Sequence, residues 1–227
     1  MTRIKGRTQA QSGGAGSFLV SVLDQANDVL RGRASLRHAW LLLVCGFAYG
    51  AVMGSHGGRP LQAIYSAVKV PILLLATVGL SLPSFFIVNK LLGLRDDFTV
   101  VIGGILGAQA GLTIILVSLS PLTLFWYGSS NDYNSAILYN GLMFGIATAG
   151  AQVLLRRTYR PLVAKHPWQR WMLRVWMLLY TFVGVQMGWV LRPFVGDPGE
   201  SVSFFRAGAW DNAYVIVFRM IWRALTP

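Results

Sequence analysis

Metal binding, acid–base catalysis and covalent catalysis draw on a small set of side chains, and this sequence holds few of them: three histidines, one cysteine and eight acidic residues in 227. His38, His56 and His166 stand at the edges of apolar runs, none inside one. No HExxH pair sets two imidazoles on one helix face, and no GxSxG elbow comes with a histidine to activate its serine. Walker and GxGxxG loops, which hold phosphates on backbone N–H groups, do not occur. Cys45 is alone, which excludes an intrachain disulfide and a cysteine-ligated metal centre, and it reads as a small packing residue. Met143, Met177 and Met187 have no histidine partner at depth that would make a haem site, and read as core. Asp96 and Asp97 adjoin, but their place before an apolar run suits helix capping better than metal ligation. No acidic residue falls within an apolar run, whereas coupled carriers place ionisable groups in the membrane interior. The expectation is no catalytic residue, no metal and no cofactor. Gln109 and Gln186, uncharged, are read as hydrogen bonds between helices.

The elements that must position these residues are apolar and long. The chain is 54% hydrophobic and 12% charged, against about 25% charged in ordinary soluble domains. An apolar run of about 20 residues crosses the hydrocarbon of a bilayer. The expected fold is all-α, a polytopic transmembrane bundle of five spans at Ala39–Ser55, Val70–Asn89, Phe98–Tyr127, Tyr133–Leu155 and Val175–Leu191. Residues 213–225 form a short sixth stretch, read as a tilted crossing in preference to an interfacial helix. From Phe98 to Leu155 the one charged residue is Asp132, so these two spans read as a hairpin around a short polar turn. The loop from His56 to Ser66 should turn at Gly57, Gly58 and Pro60.

Small residues recur on the hairpin. Gly103, Gly107 and Gly111 share one helix face, as do Gly141, Gly145 and Ala149. In lipid, helices associate where small residues let backbones approach, so the two faces are expected to pack together. Pro83 lies inside the second span and removes the hydrogen bond to the Gly79 carbonyl. A kink is expected there, with Ser81 or Ser84 available to satisfy the carbonyl.

Ahead of the membrane domain (38–227), residues 1–16 read as a disordered basic tail and 17–37 as an amphipathic helix capped by Ser17. Its apolar face, Phe18 to Leu30, fits either a membrane surface or the protein's own cytoplasmic side. The loop after the fourth span carries Arg156, Arg157, Arg160, Lys165, Arg170 and Arg174 among Trp168, Trp171 and Trp176, with Pro161 and Pro167 expected to interrupt any helix. Arg156, Arg157, Arg160, Arg170 and Arg174 are candidate contacts for anionic lipid headgroups. With the N-terminus in the cytoplasm, most cations fall inside, leaving Arg59, Lys69, Arg192 and Arg206 outside, as the positive-inside rule requires. The net charge of +12 therefore reflects topology, and no nucleic-acid partner is expected. The apolar, turn-rich segment 192–212 should lie on the outer surface or fold back on the bundle.

Span two and its flank, KVPILLLATVGLSLPSFFIVNKLLG from Lys69 to Gly93, with Pro71, Pro83 and the small-residue hairpin that follows, resembles bacterial relatives of the Yip1 membrane-protein family. The resemblance covers roughly residues 67–191. It implies a five-span protein without catalytic chemistry; eukaryotic members are tied to vesicle traffic and small GTPases. The segment after Arg192 and the sixth stretch depart from the five-span pattern. The function expected is that of a non-enzymatic scaffold in a bacterial inner membrane, organising protein partners, copies of itself or lipids. The alternatives are a channel or transporter component and an accessory subunit of a larger membrane complex.

Overall fold

Without water to take up backbone polar groups, an apolar segment in lipid satisfies them within a helix, and this chain does so throughout its long runs. A computed structural model describes residues 14–31, 38–93, 98–206 and 214–215. Among them the order is α1 (Gly14–Leu30), α2 (Ala39–Gly54), α3 (Pro60–Leu91), α4 (Phe98–Ser129), α5 (Tyr133–Lys165) and α6 (Gln169–Val190). The helices α3 to α6 are each long and apolar enough to cross a membrane. At 16 residues, α2 is about 24 Å long against a hydrocarbon core of about 30 Å.

Several boundaries differ from expectation. α1 starts at Gly14, so Ser17 lies within it and does not cap it. The turn after α2 is confined to residues 55–59, where Gly57 and Gly58 take positive φ of 70° and 68°, a backbone region open to glycine. Pro60 then occupies the first turn of α3, where its missing N–H costs little, and the helix begins ten residues before Val70. It runs unbroken through Pro71 and Pro83. The Ser81 hydroxyl donates to the Thr77 carbonyl at 2.7 Å, not to that of Gly79. α5 likewise continues through Pro161 to Lys165; the carbonyl that Pro161 leaves without a donor belongs to Arg157, which is exposed. Residues 1–13 of the expected tail, the Asp96–Asp97 cap and most of the sixth stretch lie outside the described residues.

Packing is pairwise and mostly antiparallel. α2 and α3 form one hairpin, α4 and α5 another, and α6 returns along α3 with Trp176 edge-on to Phe85 at 5.2 Å. α4 runs beside α2 in the same direction and is the most enclosed helix. α1 docks on α4 through the fully buried Val29, and Trp40 Nε1 donates to Gln25 Oε1 at 2.8 Å. Of the two readings of the amphipathic helix, docking is the one observed at this end, while Val20 and Leu23 stay exposed. Elsewhere Leu43, Phe47, Leu75, Leu80, Phe125, Leu138 and Leu178 face outward, while Ser66, Thr77, Gln109, Thr113 and Asn140 are buried. A soluble monomer rarely exposes so continuous an apolar surface, whereas lipid accommodates it.

Candidate functional site

The polar side chains converge at one end of the bundle. Arg59, Gln62, Ser66 and Lys69 recur at helical spacing, so they share one face where α3 begins. All four donate to backbone carbonyls of the segment that follows α6. Arg59 Nη1 reaches the carbonyls of Asp197 at 2.8 Å and Glu200 at 2.9 Å, and Nη2 that of Pro198 at 2.8 Å. Gln62 Nε2 donates to Pro193 and Phe194 at 3.1 and 3.2 Å, and Ser66 Oγ donates to Phe194. Lys69, fully buried, donates to the Pro193 carbonyl at 2.7 Å with its ammonium 4.9 Å from the Phe204 ring centroid. A buried cation is costly unless it finds such partners. Arg206 closes the segment on itself, 3.1 Å from Asp197 and 2.6 Å from Glu200, and its hydrogen bond to Glu200 is the main cause that raises its pKa. Residues 192–206 thus form a cap folded back on the bundle, one of the two placements expected.

Beneath the cap, α2, α4 and α5 are tied together. Tyr49 donates to Asn140 Oδ1 at 3.1 Å; Asn140 Nδ2 donates to the Tyr127 oxygen at 2.6 Å; Tyr127 donates to the Met53 carbonyl at 2.9 Å. His56, buried in the turn after α2, packs edge-on to Tyr127 at 4.8 Å. Burial holds its imidazole below the usual range, and Asp132 partly opposes this.

Between these groups lies a cavity of about 510 Å³. Its wall on α5 is Tyr133, Ile137, Asn140, Gly141 and Phe144; Trp189, Arg192 and Arg206 face them across it. The indole Nε1 of Trp189 is buried without an acceptor among the described residues. The Arg192 guanidinium lies 3.4 Å from the Trp189 ring centroid.

The candidate packing glycines separate into two groups. Gly103, Gly107 and Gly111 are buried on α4, and a Cβ at Gly111 would meet Leu154 Cδ1 of α5. The expectation that Gly141 and Gly145 face them is corrected: both are exposed, and a Cβ at either meets nothing within 4 Å among the described residues. α5 instead presents Leu154, Thr158 and Gly150 to α4. The closest helix approach is one the sequence reading missed. On α2, Gly46, Gly50 and Gly54 lie four apart; a Cβ at Gly50 would meet the Ser66 carbonyl oxygen and lie 2.7 Å from Ala67 Cα, and one at Gly54 would lie 2.6 Å from the Gln62 carbonyl oxygen. A Cβ at Gly46 would lie 3.1 Å from Cγ of the Pro71 ring. The same spacing that marked the other glycines was present here.

At the opposite, basic end, Arg156, Arg157, Arg160, Arg170 and Arg174 are all exposed. Arg170 and Arg174 share a shallow pocket with Trp168 and Trp171, Arg174 lying 5.0 Å from the Trp171 ring centroid. Arg156, Arg157 and Arg160 belong to the last turns of α5 and do not line it. Pro83 is exposed on α3. Gln109 accepts a hydrogen bond from Tyr180 at 2.8 Å, joining α4 to α6.

No family model matches the chain, and no curated protein or solved structure matches it either.

Proposed function

We propose that this chain is a non-catalytic integral membrane protein that organises a partner or lipids through its capped end. The observation that carries this reading is the clamp on the cap. Arg59, Gln62, Ser66 and Lys69 are committed to backbone carbonyls between Pro193 and Glu200. Catalysis and coupled transport need ionisable groups that change partners during a cycle; this set holds a surface in one shape. A preformed surface binds with less ordering cost than a mobile one. The same reading accommodates kinship with the five-span Yip1-like proteins.

The orientation proposed puts the N-terminus and the basic end in the cytoplasm of a bacterial inner membrane. Lys90, Arg156, Arg157, Arg160, Lys165, Arg170 and Arg174 gather at that end, in line with the positive-inside rule. Extraction in mild detergent, followed by the mass of the intact complex and identification of its bound species, tests the function. A stoichiometric protein partner or retained lipid is expected, and loosening the cap with Lys69→Ala should release it. A bare chain carrying neither overturns the reading.

A further inference from the structure

We propose that the pocket where α6 begins, at the basic end of the bundle, holds the phosphate group of one anionic phospholipid of the adjacent leaflet. The site lies at the opposite end from the cap. It shares with the proposed function only the premise that the bundle crosses a bilayer. Three observations carry it.

The first is the spacing of charge. Arg170 and Arg174 stand four apart, on one side of α6, and both are exposed. Neither guanidinium has a side-chain hydrogen bond or an ion pair among the described residues. Like charges at this spacing destabilise a helix. One phosphate between them removes that cost and accepts from both planar forks. On the inner side of the helix Gln169, Met172, Leu173 and Trp176 are buried, so packing behind the pair holds it outward.

The second is the aromatic frame. Trp168 and Trp171, 59% and 56% exposed, line the same pocket of about 370 Å³, within the range of about 300–1,000 Å³ of small-molecule sites. Indoles so exposed suit the headgroup layer, where the ring is buried and the N–H stays wet. Trp171 lies under Arg174 with the guanidinium carbon 5.0 Å from its ring centroid, which orders that cation before a ligand arrives. The backbone N–H groups of Arg170 and Trp171 donate to the carbonyls of Pro167 and Trp168 at 3.2 and 3.0 Å, and this turn fixes where Trp168 stands.

The third is depth. From Arg174 to the end of α6 at Val190 no further charged residue occurs. That is about 24 Å of helix at 1.5 Å per residue, against a hydrocarbon core of about 30 Å. Arg174 therefore stands at the hydrocarbon boundary and Arg170 one turn further out, at the level of the phosphates. Arg156 and Arg157, exposed at the same end on α5, lie outside the pocket and separate a built site from diffuse attraction of basic residues to an anionic surface.

The test uses the full chain in nanodiscs of equal phosphatidylglycerol and phosphatidylcholine, released into mild detergent and weighed by native mass spectrometry. The last lipid retained should be phosphatidylglycerol over phosphatidylcholine by about tenfold, the ratio expected of one charge-assisted hydrogen bond. Arg170→Gln with Arg174→Gln should abolish the preference, while Arg156→Gln with Arg157→Gln, which removes the same charge at the same end, should keep it. Trp171→Leu removes no charge and should still lower the preference about threefold. All these positions are exposed, and helix content and melting check that each variant folds. Excess inorganic phosphate should not displace the lipid; displacement would assign the pocket to a free phosphate and overturn the lipid. Equal retention of the two headgroups by the parent, or equal losses in the two double variants, overturns the site. Lys69→Ala, which loosens the cap, should leave the preference unchanged. A chain that enters the bilayer and keeps a partner through its cap, but shows no headgroup preference, fails this inference alone; a chain that does not enter the bilayer fails the proposed function.

Discussion

Two helix faces in this protein carry glycine at the same four-residue spacing and do opposite things. On α2, Gly50 and Gly54 bring the α3 backbone so near that a Cβ would clash with it, and Gly46 faces the Pro71 ring. On α5, a Cβ at Gly141 or Gly145 would meet nothing within 4 Å among the described residues, and Gly141 lines a cavity instead. Spacing fixes which residues share a face; it does not say whether a neighbour arrives there. α3 arrives at α2 because a tight turn at residues 55–59 leaves it no alternative. α5 and α6 meet near their connecting turn, through Tyr159, Leu162, Met172 and Trp176, and at their other end the cavity lies between them.

The sharpest break of this comparison is Gly50→Leu. Its side chain would enter the α3 backbone, so loss of the folded bundle is expected, seen as aggregation on extraction; Gly50→Ala should cost about 1–3 kcal/mol as overpacking, read from melting in detergent. Next is the clamp. Lys69→Ala removes the bond to Pro193 and should cost about 1.5–3 kcal/mol, with tryptic cleavage at Arg206 accelerating before the bundle melts. If cap and bundle loosen together, the cap is part of the core and not a separable surface. A smaller effect is set by pH. The folded-state pKa of His56 lies below its ordinary value, so the unfolded chain binds its proton first. Stability is complete above about pH 6.5 and falls as the pH drops from there towards the folded-state pKa. His56→Gln should flatten this part of the wild-type profile. The smallest effect is Gly145→Ala, expected within about 0.5 kcal/mol of wild type. A cost like that of Gly50→Ala would show that a neighbour does arrive at α5 in the membrane.

The class of the protein was legible from its apolar runs, and so was the hairpin of α4 and α5, because both are written in contiguous sequence. The folded-back cap was foreseen as one of two placements, from aromatic residues too apolar to stay in water. Its clamp was not legible. Arg59, Gln62 and Ser66 looked like loop residues because their acceptors lie more than a hundred residues along the chain. Read without that segment, a polar stripe before an apolar run is loop; with it, the stripe is the first turns of α3. The cavity is hidden for a related reason: it exists between α5 and the cap, and the spacing of Gly141 reads as contact.

The order of synthesis gives the clamp a further consequence. Ribosomes make the donors on α3 long before the carbonyls of residues 193–200, and N-terminal parts of a chain fold first. Until the cap emerges, Lys69 must wait at the membrane boundary with water as its partner. Only a chain elongated past Phe194 can draw that lysine under cover. Completion of residues 193–200 therefore seals the first hairpin, and a chain halted before Pro193 should remain open to an amine-reactive label at Lys69 that the finished protein excludes.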